Sequence, residues 1–67
     1  MKYKIIKISE LSWIVEKEDG EEYIVNYNIF KNKYTCSCQW NISTGKECKH
    51  IRMVKEFIVN RKSEFDE

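Results

Sequence analysis

The 67-residue chain is 42% hydrophobic and 34% charged, and its formal net charge at pH 7 is +1. So short a chain forms one domain with a small core, and domains of this size commonly need a metal ion or another cross-link to fold. The composition argues against a disordered chain, because the opposite charges nearly balance. No apolar run is long enough for a secretory signal, and none approaches the about 18 residues of a membrane span.

The first half of the chain is predicted to form a β-sheet, because its apolar residues alternate with polar ones. Asp19-Gly20 is a strong signal for a tight hairpin between two of these strands. The predicted strands cover residues 2–8, 11–18, 21–28 and 33–38. The residues expected to face the core are Tyr3, Ile6, Ile8, Trp13, Val15, Tyr23, Val25 and Tyr27.

The second half of the chain is predicted to contain one helix, from residue 48 to about residue 61. Ile51, Val54 and Ile58 recur at helical spacing with Met53 and Phe57 beside them, so this apolar stripe is expected to pack on the sheet. Residues 39–47 are expected to form a polar loop between the sheet and this helix. The acidic residues at the end of the chain are expected to fray.

All three cysteines and the only histidine fall into two close pairs, Cys36-x-Cys38 and Cys48-x-His50. Three thiols and one imidazole form a complete ligand set for a closed, structural zinc site. Alternate residues of a strand point to the same side, so the first pair can share one ion. The second pair fits if Cys48 lies at or just before the first helical turn and His50 lies inside it, where the free N–H groups favour a thiolate. We therefore predict one structural Zn²⁺, bound by Cys36, Cys38, Cys48 and His50.

This pattern resembles the SWIM-type zinc finger, in which Cys-x-Cys, a short polar loop and Cys-x-His lead into an apolar helix. Gly45, three residues before Cys48, and the direct run from Cys48 through Ile51 into helix also agree with it. The resemblance covers residues 13–58. Members of this family occur in transposases, chromatin-remodelling and ubiquitin-ligase proteins and accessory factors of homologous recombination. The resemblance implies binding to DNA or to other proteins, with no catalysis in the finger itself.

These observations together predict the α+β class, as a small zinc finger with an antiparallel sheet of three to four strands and one C-terminal helix. Residues 1–62 form the SWIM-type domain in this prediction, and residues 63–67 form an acidic, frayed tail.

No enzymatic activity is expected, because four protein ligands leave the metal no open position for water. The chain also has no further cysteine or histidine to serve as nucleophile or base. We expect neither a small-molecule substrate nor a membrane partner. The odd number of cysteines argues against a disulfide framework, so an intracellular protein, cytoplasmic or in the nucleoid or nucleus, is predicted.

The charges are distributed unevenly along the chain. Residues 10–22 contain six acids and one base, and residues 31–62 contain eight bases and two acids. Cations on the solvent face of the helix and in the loop before it could neutralise phosphates, although an ordinary solvated helix face is the alternative. The residues predicted to contact nucleic acid are Lys46, Lys49, Arg52 and Lys55.

The predicted function is therefore a zinc-stabilised module that binds nucleic acid without sequence preference, DNA rather than RNA. The alternative is a protein-interaction module, or an accessory subunit of a recombination- or transposition-type complex, that uses the acidic hairpin or an uncovered sheet face. Trp40 is expected to shield the metal, and the alternative for it is stacking on an unpaired base.

Overall fold

The computed structural model describes residues 1–66, so Glu67 lies outside the described residues. The elements in chain order are β1 (Lys2–Ser9), β2 (Ser12–Lys17), β3 (Glu22–Asn28), β4 (Lys33–Cys36), α1 (Gln39–Thr44), α2 (Lys49–Asn60) and β5 (Glu64–Asp66). The strands form one antiparallel sheet in the order β4-β3-β2-β1-β5. The predicted α+β class is confirmed. Within residues 1–66 the sheet has five strands rather than three to four, and there are two helices rather than one.

The β2–β3 hairpin lies where Asp19-Gly20 predicts it. Gly20 has a φ of +97°, a conformation that glycine adopts without steric cost. Its N–H donates to the Lys17 carbonyl at 2.9 Å, and the Lys17 N–H donates to the Glu21 carbonyl at 2.7 Å. The chain therefore reverses tightly, and Trp13 comes to lie directly opposite Val25 on the neighbouring strand.

The core lies between α2 and one face of the sheet. Alternation along β2 and β3 buries the side chains predicted to face inward, and α2 covers them with residues spaced one turn apart. Tyr23 and Tyr27 are partly buried against this core. Its buried apolar residues, apart from the cysteines, are Tyr3, Ile5, Trp13, Val15, Val25, Ile51, Met53 and Val54.

The prediction for β1 was wrong in part, because Ile5 rather than Ile6 or Ile8 is buried. Side chains of a strand alternate between faces, so burial of Tyr3 assigns Ile5 to the core and turns the other two outward. Ile6 is 38% exposed and Ile8 is 50% exposed. Ile58 is also exposed near the end of α2, whereas the other residues of its stripe pack on the sheet.

Residues 63–66 differ from the frayed tail expected for residues 63–67, of which Glu67 lies outside the described residues. Glu64–Asp66 pairs with the start of β1, with Phe65 opposite Tyr3. The Ile5 N–H donates to the Ser63 carbonyl at 2.8 Å. Phe65 packs against the core, and this apolar contact holds an otherwise acidic segment to the sheet. Within residues 1–66, neither helix has the length and apolar character that a membrane span requires.

Candidate metal centre

The four predicted ligands meet at one end of the sheet. Cys36 is the last residue of β4, Cys38 directly precedes α1, Cys48 directly precedes α2, and His50 lies in the first turn of α2. All four residues are buried, and their ligand atoms lie within 4.8 Å of one another. The structure therefore brings together the whole predicted ligand set from three different elements.

Both helices begin at a cysteine of this cluster. Cys38 and Cys48 have extended backbone conformations and occupy the N-cap positions of α1 and α2. The first N–H groups of a helix have no partner inside the helix, so they favour negative charge on a nearby sulfur. The predicted position of Cys48 just before its helix is confirmed.

The predicted polar loop over residues 39–47 was wrong, because Gln39–Thr44 forms α1. This short helix ends at Gly45, whose φ of 70° is in the left-handed region. The Gly45 N–H donates to the Asn41 carbonyl at 2.8 Å and so completes the C-terminal turn. Strand β4 also ends two residues earlier than predicted, because the chain leaves the sheet after Cys36 to begin this turn of helix.

The distances within the cluster fit a tetrahedral metal ion. His50 Nδ1 lies 3.7 Å from Cys36 Sγ and 3.8 Å from Cys48 Sγ. With bond lengths of about 2.3 Å to sulfur and about 2.0–2.1 Å to nitrogen, a tetrahedral zinc ion places these atoms about 3.6 Å apart. All three cysteines are free thiols. The buried Cys₃His cluster thus fits one metal ion, bound through Nδ1 of the histidine.

The three thiols are not electrostatically equivalent. Burial raises the pKa of Cys36 well above its ordinary value, and burial also raises the pKa of Cys48. For Cys38, burial acts in the same direction, but the N–H of Asn41 and the neighbouring thiols outweigh it and lower the pKa. Three thiolates at this buried site would repel one another, and a bound cation would offset both that repulsion and the cost of their burial.

Two tyrosines fix the plane of the histidine ring. The Tyr23 ring stacks on the His50 ring with centroids 4.3 Å apart and planes inclined by 21°. Tyr3 contacts the same ring at a tilt, with centroids 6.0 Å apart. This aromatic shell, contributed by β1 and β3, holds Nδ1 toward the two sulfurs and excludes water from that side of the cluster.

Asn41 is a functional residue that the sequence analysis missed. Its side chain is buried, its Oδ1 accepts a hydrogen bond from the Cys36 N–H at 3.1 Å, and its Nδ2 donates to the Lys46 carbonyl at 2.9 Å. One amide thus ties the end of β4 to the segment that leads to Cys48. Sequence gives no signal for this role, because an asparagine between ligand pairs is equally typical of a solvated loop.

The four predicted phosphate-binding residues are all exposed. Lys49, Arg52 and Lys55 line one surface cavity of about 470 Å³ together with Lys62. Lys55 is partly engaged, since its Nζ lies 2.7 Å from a Glu47 carboxylate oxygen and 5.3 Å from the Tyr34 ring centre. Lys46 lies between the two helices and does not line this cavity.

Trp40 differs from its expected role as a shield over the metal, because it is 57% exposed on α1. The other tryptophan, Trp13, is only 4% exposed in the core, as predicted. The cover of the metal centre is supplied instead by the rings of Tyr3 and Tyr23, which contact His50.

Comparisons of this chain with protein-family models, with curated proteins and with solved structures each find no match. The resemblance to the SWIM-type finger therefore depends on the spacing of the ligands and their flanking residues alone, and it stays a prediction. The structure itself defines a small α+β domain built around a buried Cys₃His cluster.

Removing the metal is expected to unfold the domain. Structural zinc contributes about 10–16 kcal/mol in finger peptides, which is as large as the whole stability of a typical domain. A strong chelator, or Cys48→Ser, should abolish the native dispersion of amide signals in NMR spectra, and added zinc should restore it only for the chelated wild type. Thr35→Ala, an exposed neighbour of the ligands, is the control. A metal-free protein with native dispersion would contradict the expectation.

Replacing Asn41 by alanine is expected to lower stability without removing a ligand. The substitution leaves the Cys36 N–H and the Lys46 carbonyl without their partner, at about 1–3 kcal/mol for each group that stays buried. Denaturant unfolding of the metal-loaded protein measures the difference. Ser43→Ala, an exposed change on the same helix, should stay within about 0.5 kcal/mol of wild type. Equal stabilities of the two variants would show that the Asn41 bridge is unimportant.

Proposed function

We propose that this chain is a zinc-stabilised module that binds nucleic acid through the solvent face of α2. The proposal is carried by the cavity on that face, which Lys49 and Arg52 of α2 line together with Lys62, two residues after the helix. The same helix begins at Cys48 of the metal cluster. A rigid helix with clustered cations is a common way to hold phosphates without reading bases.

Zinc is the proposed metal, because three thiolates and one imidazole are soft to borderline ligands in a tetrahedral arrangement. The same four ligands fill the coordination sphere, so we propose a structural ion and no catalytic role. An intracellular location is proposed as well, since the cysteines must stay reduced to bind the metal. The SWIM-type resemblance supports this interpretation.

The charges around the cavity indicate a modest affinity. Four bases line it together with Glu47, Glu56 and Asp66. Because Glu47 pairs with Lys55, we assign the phosphate contacts to the other three bases of the lining, Lys49, Arg52 and Lys62. The logarithm of the binding constant should then fall with the logarithm of salt concentration with a slope of about −2 to −3. This pattern supports sequence-independent binding, and the preference for DNA over RNA comes from the family resemblance alone.

Reversing two charges on α2 is expected to remove this binding. Lys49→Glu with Arg52→Glu should lower the affinity for a short DNA duplex at least tenfold at about 50 mM salt, and should flatten the salt slope. Fluorescence anisotropy of the metal-loaded proteins measures both quantities. Lys2→Glu with Lys4→Glu changes the net charge equally on β1 and is the matched control. Normal binding by the α2 variant would exclude this helix as the contact surface.

A second candidate function, protein interaction, is favoured by the other face of the sheet. Ile6, Ile14 and Ile24 lie directly opposite one another on β1, β2 and β3. Ile6 and Ile24 are 38% and 44% exposed. In the next row along the strands, Glu16 of β2 lies between Lys4 of β1 and Glu22 of β3. Glu64 of the outer strand β5 lies opposite Lys4 on its other side. This surface combines an apolar row with three carboxylates and one ammonium. It is complementary to an amphipathic segment of a partner protein that carries lysines or arginines beside its apolar residues.

The sheet surface can be probed with a synthetic amphipathic helix that carries leucines on one face and lysines on its flanks. We expect the peptide to shift the methyl signals of Ile6, Ile14 and Ile24 in NMR spectra of the metal-loaded protein. Ile14→Thr, which shortens the apolar row but keeps a β-branched residue, should weaken the titration, whereas Val59→Thr, an exposed change on α2, should not. Shifts confined to α2, or none at all, would argue against a protein-binding sheet face.

A further inference from the structure

Two exposed aromatic residues stand at opposite ends of the edge strand β4. Phe30, in the turn that enters this strand, is 94% exposed, and Trp40, on the helix that follows it, is 57% exposed. Aromatic side chains carry the largest apolar area of any residues and are usually buried in a small domain. The other seven aromatic residues are buried or half-buried, so among the described residues an exposed aromatic ring is found only at the two ends of this strand.

The turn that carries Phe30 is braced by its own hydrogen bonds. Asn28 Oδ1 accepts hydrogen bonds from the N–H groups of Phe30 and Lys31, at 3.0 and 3.1 Å. Asn32 adopts a φ of 53°, which reverses the chain, and its Oδ1 accepts a hydrogen bond from the Tyr27 hydroxyl. The exposed ring is thus held by an ordered turn. Binding of a ligand to it therefore costs little further conformational entropy of the protein chain.

Trp40 is also held by ordered structure. It follows Cys38 and Gln39 in α1, and its carbonyl accepts a hydrogen bond from the Thr44 hydroxyl at 2.7 Å. The helix is tied to the end of β4 through Asn41, whose Oδ1 accepts the Cys36 N–H. The positions of both exposed rings are therefore defined by elements that join the same edge strand.

The edge between the two rings is positively charged. Lys33 and Lys55 line one cavity of about 420 Å³, in which Glu47 is the single acidic residue of the lining. Lys31 follows Phe30 in the turn, and Lys46 follows the end of α1. The chain from Phe30 to Trp40 contains two lysines and no acid, and the sum over the four lysines and Glu47 is +3.

We propose that this flank, defined by Phe30, Trp40, Lys31, Lys33 and Lys46, binds an unpaired nucleic-acid strand. Bases would stack on the two rings while the lysines neutralise the phosphates between them, which is how single strands are bound without sequence preference. A duplex covers the faces of its bases by stacking, so exposed rings favour a single strand over a double one. Residues 33–36 span roughly 10 Å along β4, which leaves space for more than one nucleotide between the rings.

This inference rests on the proposed nucleic-acid function and adds to it the class of strand and the residues that select it. It predicts that the double variant Phe30→Ala with Trp40→Ala binds fluorescent oligo(dT) far more weakly than wild type does. Replacing one stacking ring by alanine weakens binding by about 5- to 150-fold for the base that it holds. Binding to a duplex of equal length should stay within about twofold. Both titrations use the metal-loaded protein, with metal content measured for each variant.

Matched variants separate stacking from other causes. Val59→Ala removes an apolar group that is 76% exposed on α2, away from this edge, and should leave both affinities unchanged. Phe30→Tyr keeps a stacking ring and should bind oligo(dT) like wild type, whereas Phe30→Leu keeps apolar area without the ring and should not. If Phe30→Leu binds like wild type, the contact is apolar rather than stacked, and the proposal is wrong.

The two tryptophans supply an independent readout. Trp40 is exposed and Trp13 is buried, so stacking of a thymine on Trp40 should quench the solvent-exposed part of the emission. Trp40→Phe should remove that change while it retains oligo(dT) binding. Equally weakened binding to single-stranded and duplex DNA, or unchanged binding by the double alanine variant, would overturn the inference. Unchanged binding by the variant Lys49→Glu with Arg52→Glu would instead contradict the proposal that α2 is a contact surface. It would leave the proposal for the β4 flank unaffected.

Discussion

The fold depends on one constraint, the convergence of three thiols and an imidazole from three elements of the chain. β4 contributes Cys36, the start of α1 contributes Cys38, and α2 contributes Cys48 and His50. A chain of this size has a small core, so apolar contact alone gives it only marginal stability. A metal ion bound here would close the loop between β4 and α2 and would offset the cost of keeping three thiolates in an apolar site.

The centre also determines which surfaces the domain presents. Because α2 begins at Cys48, its apolar side is directed onto the sheet and its cations are turned to solvent. Because α1 begins at Cys38, Trp40 is carried outward beside the edge of the sheet rather than over the metal. The sheet keeps its acidic and isoleucine-bearing face on the opposite side. Each proposed contact surface therefore depends on the same four buried residues.

Sequence reasoning predicted the parts of this molecule that follow from strong local patterns. The two ligand pairs, the Asp19-Gly20 hairpin and the alternation of β2 and β3 are such patterns. α1 could not be predicted, because its residues have modest helix propensity and it is held by Asn41 and Gly45, whose roles appear only in three dimensions. β5 is too short to show periodicity, and it forms because Phe65 finds the core beside Tyr3.

Both edges of the sheet are short, since β4 has four residues and β5 has three. An exposed edge strand offers unpaired N–H and C=O groups on which another chain can add a strand, and long, flat, apolar edges promote aggregation. Here β5 covers the start of the eight-residue β1, and the opposite edge is lined by Lys33 and ends in the metal cluster. Of the two elements that sequence reasoning missed, β5 is itself one edge of the sheet, and α1 follows the strand at the other edge. Such short edge strands offer another chain little backbone on which to add a strand.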